Sequence, residues 1–355
     1  VSRLEVTELV LDPRDIPLRQ PFVTPRGTLT HRRLILVGLA ADQTVGWGEC
    51  GPLGSIGVRS ETIEAATQAL SASRVLLEGS TFSGIDELGQ AISKIASAST
   101  RAAIETAAWD LTARLAGQPL WSVLGGNRLE VVPVASIGLH PSPDLLCEEV
   151  AETVAEGYGF VKLKVQPETA GTMVQAVRER FPQLRIALDA NGTYFPDQRS
   201  RLEQLDTFDL EFIEQPFDRE HTAQITELGK FIQTPLCLDE SVRDVEEAAQ
   251  HISQRSAPII NLRTALVGGH RQLLALHQLA VEAGVRLRCG GLLETGIGRA
   301  HNLAVASLPG FSVPGDLALP SRYLTDDIVE PAWSLEAGAV RLRSTPGIGV
   351  DPRPR

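Results

Sequence analysis

The chain has no two cysteines close enough to form a CxxC unit: Cys50, Cys147, Cys237 and Cys289 stand far apart. This spacing suggests neither a zinc knuckle nor a disulfide framework, and it predicts four buried small hydrophobes. Basic residues are in short supply too. With 33 Lys and Arg against 44 Asp and Glu, the formal net charge is -11, whereas a broad nucleic-acid or anionic-membrane surface needs clustered positive charge. No nucleic acid and no membrane are therefore expected as partners, and small molecules are. No apolar run approaches the roughly 18 residues of a membrane helix, and "VSRLEVTELVLD" has no basic flank leading into an apolar signal region. A cytoplasmic protein is expected. No low-complexity linker divides the chain, which favours a tight two-domain body.

What is present is a repeat of shape. The 355 residues, 43% hydrophobic and 22% charged, suffice for one large domain and a smaller one. From residue 131 a short apolar run, a turn and a segment of helical period alternate. The runs are "VVPVASIG", "GFVKLKV", "LRIALDAN", "DLEFIEQP", "PLCLDES", "PIINLR", "VRLRCGG" and "GFSVPGD". Amphipathic stretches between them, such as Asp144–Glu156 and His270–Glu282, have the length of crossover helices returning to parallel strands. The pattern predicts an α/β fold, a (β/α)8-type barrel over residues 131–324 with its last helix displaced. A doubly wound open sheet is the alternative. Residues 1–130 read instead as an α+β portion, with strands in "LEVTELVL" and "RLILVGLA". Its helix, "RAAIETAAWDLTARLAG", aligns Ile104, Ala108, Leu111 and Leu115 on one face and stops at Gly117. The segment 325–355 is expected to pack back on this portion.

Three strands end on a carboxylate: Asp189 closes "RIALD", Glu214 closes "LEFIE" and Asp239 closes "LCLD". The spacing is one βα unit each time, since 214 minus 189 and 239 minus 214 both give 25. Barrels carry their chemistry at the C-terminal ends of the strands, so the three acids are expected on one rim. Left alone they would repel one another. An all-oxygen set suits Mg²⁺, with Mn²⁺ as a second choice, better than zinc. Single acids at strand ends are common because loops are wet; three in register favour a metal. Glu240 and Asn191 lie beside the set, either as ligands or as loop residues that support it.

In "FVKLKV", Lys162 and Lys164 fall on one face of a strand while Val161, Leu163 and Val165 take the other. Neither the packed interior nor the helix-covered exterior of an ordinary barrel welcomes a lysine pair. Pointing inward near the rim, they meet the acids as partners, and Lys164, nearer the open end, becomes a candidate proton carrier. The glycine-rich "RCGGLLETGIGRAHN" leads into a helix N-terminus, which suits an anion and suits tight packing equally well. Gly291 and Leu292 there, with Asn191, are candidate substrate contacts.

Taken together, KxK, "DAN", "IEQP" and "LDES" resemble the enolase superfamily, muconate-lactonizing branch. "GGLLETGIGRAHNLAVASLPGF" with "PGD" and "SRY" is similar to its o-succinylbenzoate synthase and N-succinylamino acid racemase group, and "GWGEC", "AAWDL" and "LWSVLGG" extend the likeness into the first 130 residues. The resemblance implies a barrel with a capping domain and Mg²⁺ on Asp189, Glu214 and Asp239. It implies a small carboxylate substrate bound to that metal and removal of its α-proton to give an enediolate. Lys164 matches the family base and Lys162 its neighbour. "PFVTPRGT", containing Thr24, matches a loop that closes over substrate, and a homo-oligomer is expected.

One departure lies in "PIINLR". Relatives carry "INLK" or "INIK", so Arg263 stands in the place of a second catalytic lysine. Leu266 stands where racemizing relatives commonly have Arg, and Arg288 where many members have Trp. An arginine keeps its charge but makes a poor base, and racemization needs a proton carrier on each face of the α-carbon. Dehydration to o-succinylbenzoate, a step toward menaquinone, can run from one face, with Lys164 taking the proton and then assisting loss of hydroxide. The synthase reading therefore ranks above the racemase. A member acting on an unassigned acid, or a barrel that binds metal without catalysis, is the remaining alternative; α-proton exchange in D2O separates the last from the others.

Overall fold

The computed structural model describes residues 3–24, 27–54 and 61–354. Its N-terminal part is a three-stranded antiparallel sheet of Glu8–Thr24, Gly27–Ala41 and Thr44–Cys50. The apolar run "LILVGLA" in the middle strand is buried on both faces, and the period-2 alternation of a strand sorts it into two cores. Ile35, Val37 and Leu39 pack with the helix Ala98–Leu115, whereas Leu34 and Leu36 join Ile16, Leu18 and the barrel side chains. This strand thus contributes to both cores, and its continuous hydrophobicity is the sign of that double burial.

The helix Ala98–Leu115 is capped by Ser97, whose hydroxyl accepts from the Thr100 N–H. Ile104, Ala108 and Leu111 are buried as the pattern requires, and Gly117 takes the left-handed conformation at φ +66 that ends the helix. Leu115 departs from the expectation: as the last residue of the helix it is 43% exposed. The helix lies so close to its sheet that a Cβ on Gly46 would sit 2.2 Å from the Leu111 nitrogen.

Seven parallel strands follow in sequential order: Ala135–Ile137, Phe160–Lys164, Arg185–Asp189, Ile213–Glu214, Leu236–Leu238, Ile259–Leu262 and Arg286–Cys289. A helix follows each, including Pro143–Ala155 after the first and Gly296–Ala306 after the seventh. This is the barrel class the sequence predicts, with one difference at its seam. The segment "GFSVPGD" is no regular strand. Pro314 has no N–H to donate and interrupts the ladder. The segment still closes the ring: the Val313 N–H reaches the Leu287 carbonyl at 3.2 Å, the Asp316 N–H the Cys289 carbonyl at 3.1 Å, and the Val134 N–H the Gly315 carbonyl at 2.8 Å. Only the short turn Pro320–Arg322 follows where an eighth helix would start.

Beyond it, Val340–Arg341 pairs with Glu130–Val131, the Ile348 N–H donates to Asp110, and the Trp121 indole donates to the Arg343 carbonyl. All four cysteines are buried and free. Among the described residues no helix is long and apolar enough to cross a membrane.

Candidate active site

The floor of the barrel is an apolar layer of Val134, Phe160, Ala187, Phe212, Cys237, Ile259 and Val313, which pack on one another. On a strand, the side chain two positions on points the same way. Two residues above this floor stand Lys162, Asp189, Glu214, Asp239 and Asn261, so the pleat alone stacks a polar layer on the apolar one. One step higher come Lys164 and Arg263, at the rim. The second, third and fourth strands are in register, with Lys164 opposite Asp189 and Asp189 opposite Glu214.

The contacts within the layer are dense. Lys162 Nζ donates to Glu214 Oε1 at 2.9 Å and Asp316 Oδ2 at 3.0 Å, and lies 3.2 Å from Asp189 Oδ2. Lys164 Nζ reaches Asp189 Oδ2 at 3.2 Å and Asn191 Oδ1 at 2.5 Å. Asn191 adopts φ +45, donates its backbone N–H to Asp189 Oδ1, and donates its amide to Glu240 Oε1 at 2.9 Å. Arg263 grips Asp239 with both terminal nitrogens, Nη1 on Oδ1 and Nη2 on Oδ2 at 2.6 Å. Arg288 pairs with Glu214 Oε2, reaches Asp316 Oδ1 at 2.9 Å, and stacks 4.8 Å from the Phe212 ring centre.

Burial sets the electrostatics. It pushes Glu214 up to about 8, against the pull of Arg288 and Lys162 and with the help of Asp189 and Asp239. Glu240 is likewise pushed up to about 7, by burial and then by Asp239 and Asp189. For Asp189 burial acts in the same direction, but Lys162 and Lys164 outweigh it and hold the carboxyl below its usual range. Burial disfavours the charge on Arg263, yet Asp239 more than offsets it, and the guanidinium is held more tightly protonated than an ordinary arginine.

A divalent cation fits the chemistry of this layer. Three carboxylates sit on adjacent strand tips, and Glu240 Oε2 is buried with no hydrogen-bond partner among the described residues, an acceptor left over where acids crowd. Among the described residues, however, no three His, Cys, Asp or Glu side chains enclose a common point: Asp189, Glu214 and Asp239 are each turned to a basic group.

The other predicted residues are placed as follows. Leu266 is buried in the turn Thr264–Val267 directly after Arg263. The helix N-terminus after the seventh strand, read as an anion site or as packing, is filled from within the chain. Glu49 Oε2 accepts from the Thr295 and Gly298 N–H groups at 3.1 Å, and Asp327 from Gly296 at 2.9 Å. Packing is what the structure supports there. The Leu292 N–H donates to Glu294 at 2.8 Å, and a Cβ on Gly291 would lie 2.5 Å from the Asp316 carbonyl. The expected closing loop, Pro21–Thr28, belongs to the long hairpin of Glu8–Thr24 and Gly27–Ala41; Pro25, Arg26 and the Thr24 side chain lie outside the described residues.

Three residues escaped the sequence reading. Asp316 bridges Lys162 and Arg288, and its only signal is that it ends the eighth run as the other acids end theirs. Asn261, two below Arg263, donates to Asp239 Oδ1 at 3.1 Å. Gln215, at φ +40, accepts from the Asp239 and Ser241 N–H groups and so fixes the loop that aims Asp239.

Comparison with known proteins follows the same lines. Residues 146–355 match the family described as "Enolase C-terminal domain-like", and residues 6–125 the "Mandelate racemase / muconate lactonizing enzyme, N-terminal domain". The chain is 35% identical to an o-succinylbenzoate synthase of Geobacillus kaustophilus and 36% identical to an N-succinylamino acid racemase of Thermus thermophilus; each alignment covers 98% of this chain and 94% of the relative. A solved enolase-superfamily protein from Listeria innocua superposes with a TM-score of 0.90 at 32% identity, over 98% of this chain and 95% of that one.

Proposed function

Because the chain belongs to the enolase superfamily, in the group of o-succinylbenzoate synthases and N-succinylamino acid racemases, we propose that it is a dehydratase of the o-succinylbenzoate synthase kind. The observation that carries this reading is the inequality of the two basic groups at the rim. Lys164 sits at the end of the second strand beside Asp189 and Asn191, and Arg263 directly follows the sixth, clamped to Asp239.

Members of this superfamily use a divalent metal, typically Mg²⁺. In our reading Asp189, Glu214 and Asp239 would hold it, and it would supply positive charge to the substrate carboxylate and to the enediolate left when the α-proton departs. Lys164, entering the step as the neutral amine, takes that proton and becomes the ammonium. The electron pair of the broken C–H bond spreads onto the carboxylate and then returns to form the new double bond as the C–O bond at the neighbouring carbon breaks. Lys164 gives its proton to the departing hydroxide, and water leaves. Atoms and charge balance with one base on one face.

Arg263 suits the opposite face as a fixed positive charge and not as a proton carrier, since its guanidinium is held above its already high ordinary value by Asp239. Lys162, lower in the barrel and bonded to Glu214 and Asp316, suits a charge-balancing role.

The second reading, N-succinylamino acid racemase, is favoured by the identity to the Thermus thermophilus racemase, which is no lower than that to the synthases. Incubation with Mg²⁺ and either the o-succinylbenzoate precursor or N-succinylamino acids separates them. Formation of the aromatic product without racemization is expected. Racemization at rates well above dehydration would overturn the synthase reading.

A further inference from the structure

Both oxygens of Asp239 are taken by one side chain. Arg263 places a nitrogen on each, and Asn261 adds a third donor to Oδ1 at 3.1 Å. A planar guanidinium matches a carboxylate in this two-pronged way, whereas a lysine ammonium in the same place could meet it only as a point charge. Glu214 is covered on both sides as well, by Lys162 on Oε1 and Arg288 on Oε2. Asp189, Glu214, Asp239 and Asp316 thus each have a basic side chain against them, drawn from Lys162, Lys164, Arg263 and Arg288, with Glu240 beside the set.

The two arginines are not equally free. Arg288 is fully buried, stacked on Phe212, and tied also to Asp316 and to the Pro314 carbonyl at 3.3 Å. Arg263 is the loose one. Its side chain is 10% exposed at the rim and, among the described residues, its Nε has no hydrogen-bond partner, so the hydrogen bonds of its side chain are those of the Asp239 fork. Glu240, in the residue next to Asp239, keeps one buried oxygen without a hydrogen-bond partner among the described residues and exerts its charge on Arg263.

We propose that Arg263 is a resident counter-ion of Asp239 that competes with a divalent cation for that carboxylate, so that loading the metal requires Arg263 to release Asp239. The inference rests on Asp189, Glu214 and Asp239 being the metal ligands of the function proposed above. Its consequence is a weaker metal site than the same three acids would form beside a lysine, and a barrel that stays folded without the ion. Glu240 offers the released guanidinium a second carboxylate.

The test is direct binding of Mn²⁺ to the intact chain, followed by electron paramagnetic resonance and by calorimetry. The proteins are the native chain, Arg263→Lys, Arg263→Met, and Asp239→Asn alone and combined with each. The fork is lost in both arginine variants, and Mn²⁺ should bind at least about tenfold more tightly, equivalent to about 1.4 kcal/mol. Asp239→Asn should abolish the gain. Arg263→Lys keeps the positive charge and guards against a fold weakened by an unpaired Asp239 in Arg263→Met.

Equal or weaker Mn²⁺ binding in both arginine variants, with binding still lost in Asp239→Asn, would overturn the counter-ion and leave the metal site standing. A gain that survives Asp239→Asn would overturn it too, by placing the effect elsewhere. Absence of binding in every protein would remove the metal reading itself.

Discussion

Lys164 donates to Asn191 across 2.5 Å, and Asn191 holds the rest of that corner by donating to Glu240 and, through its backbone, to Asp189. The ammonium is thus aimed by an acceptor two residues beyond the end of a neighbouring strand, in a left-handed conformation that asparagine tolerates better than most residues. A proton carrier needs such a fixed position more than it needs a strong partner.

Replacement of Lys164 by alanine should abolish dehydration and α-proton exchange together, by at least about 10²–10⁴-fold, the usual contribution of a general base. The side chain is at the rim and only partly buried, so the melting temperature should change little. Turnover assays and deuterium exchange on the same preparation check this. Near-native exchange in the variant would assign the proton to another group.

The inequality of Lys164 and Arg263 predicts one-sided exchange. In D2O the native protein should wash out the α-proton of a single enantiomer of an N-succinylamino acid, as followed by NMR. Arg263→Lys restores a titratable ammonium directly after the sixth strand and should bring exchange of the other enantiomer into view, with a gain limited by Leu266 and Arg288. Fast exchange of both enantiomers by the native protein would favour the racemase.

Arg288 has no route to water and two acids to satisfy, Glu214 and Asp316. Arg288→Met should cost about 3–5 kcal/mol in urea unfolding, the usual effect of stranding a buried charge. Adding Asp316→Asn to it should recover part of the loss, because the second change removes one of the stranded acids. Strictly additive losses would mean that the pair is not coupled.

How far the sequence foretold this site depends on the reach of each interaction. The pleat is local, so the strand tips at Asp189, Glu214 and Asp239 and the inward pair Lys162 and Lys164 could be read from alternation alone. The eighth run could not be read as it stands, because Pro314 breaks the ladder while the flanking residues still close the ring. The helix N-terminus after the seventh strand had two readings, since Glu49, its main partner, lies 246 residues from Thr295. Arg263 was legible as a changed residue, but its fork on Asp239 was not. That contact depends on the register of two strands and on a side chain long enough to span them.

The contact between the two parts of the molecule carries a pH dependence of its own. His301 lies in the helix Gly296–Ala306, bonded through Nε2 to the Trp47 carbonyl at 2.7 Å and through Nδ1 to His270 Nε2 at 2.9 Å. A carbonyl only accepts, so Nε2 of His301 carries the hydrogen and its Nδ1 accepts from His270. Protonating His301 would set two N–H groups against each other. Burial accordingly lowers His301 to about 4, and His270 falls well below its ordinary value for the same reason, reinforced by His301. With a folded value below the unfolded one of about 6.5, the neutral pair contributes its full stability above about pH 6.5 and loses it as pH falls toward 4. The amount for His301 is roughly 3 kcal/mol at about 1.36 kcal/mol per pH unit. Glu105, which accepts from the His270 and Arg271 N–H groups, slopes the other way: burial raises it to about 7, so it costs stability as pH rises. Comparison with His301→Gln removes that background, because both proteins keep Glu105 and glutamine can still donate to Trp47 and accept from His270. The native melting temperature should fall more steeply than that of the variant between pH 6.5 and 4.5. Parallel curves would show that His301 does not set the acid limit of this interface.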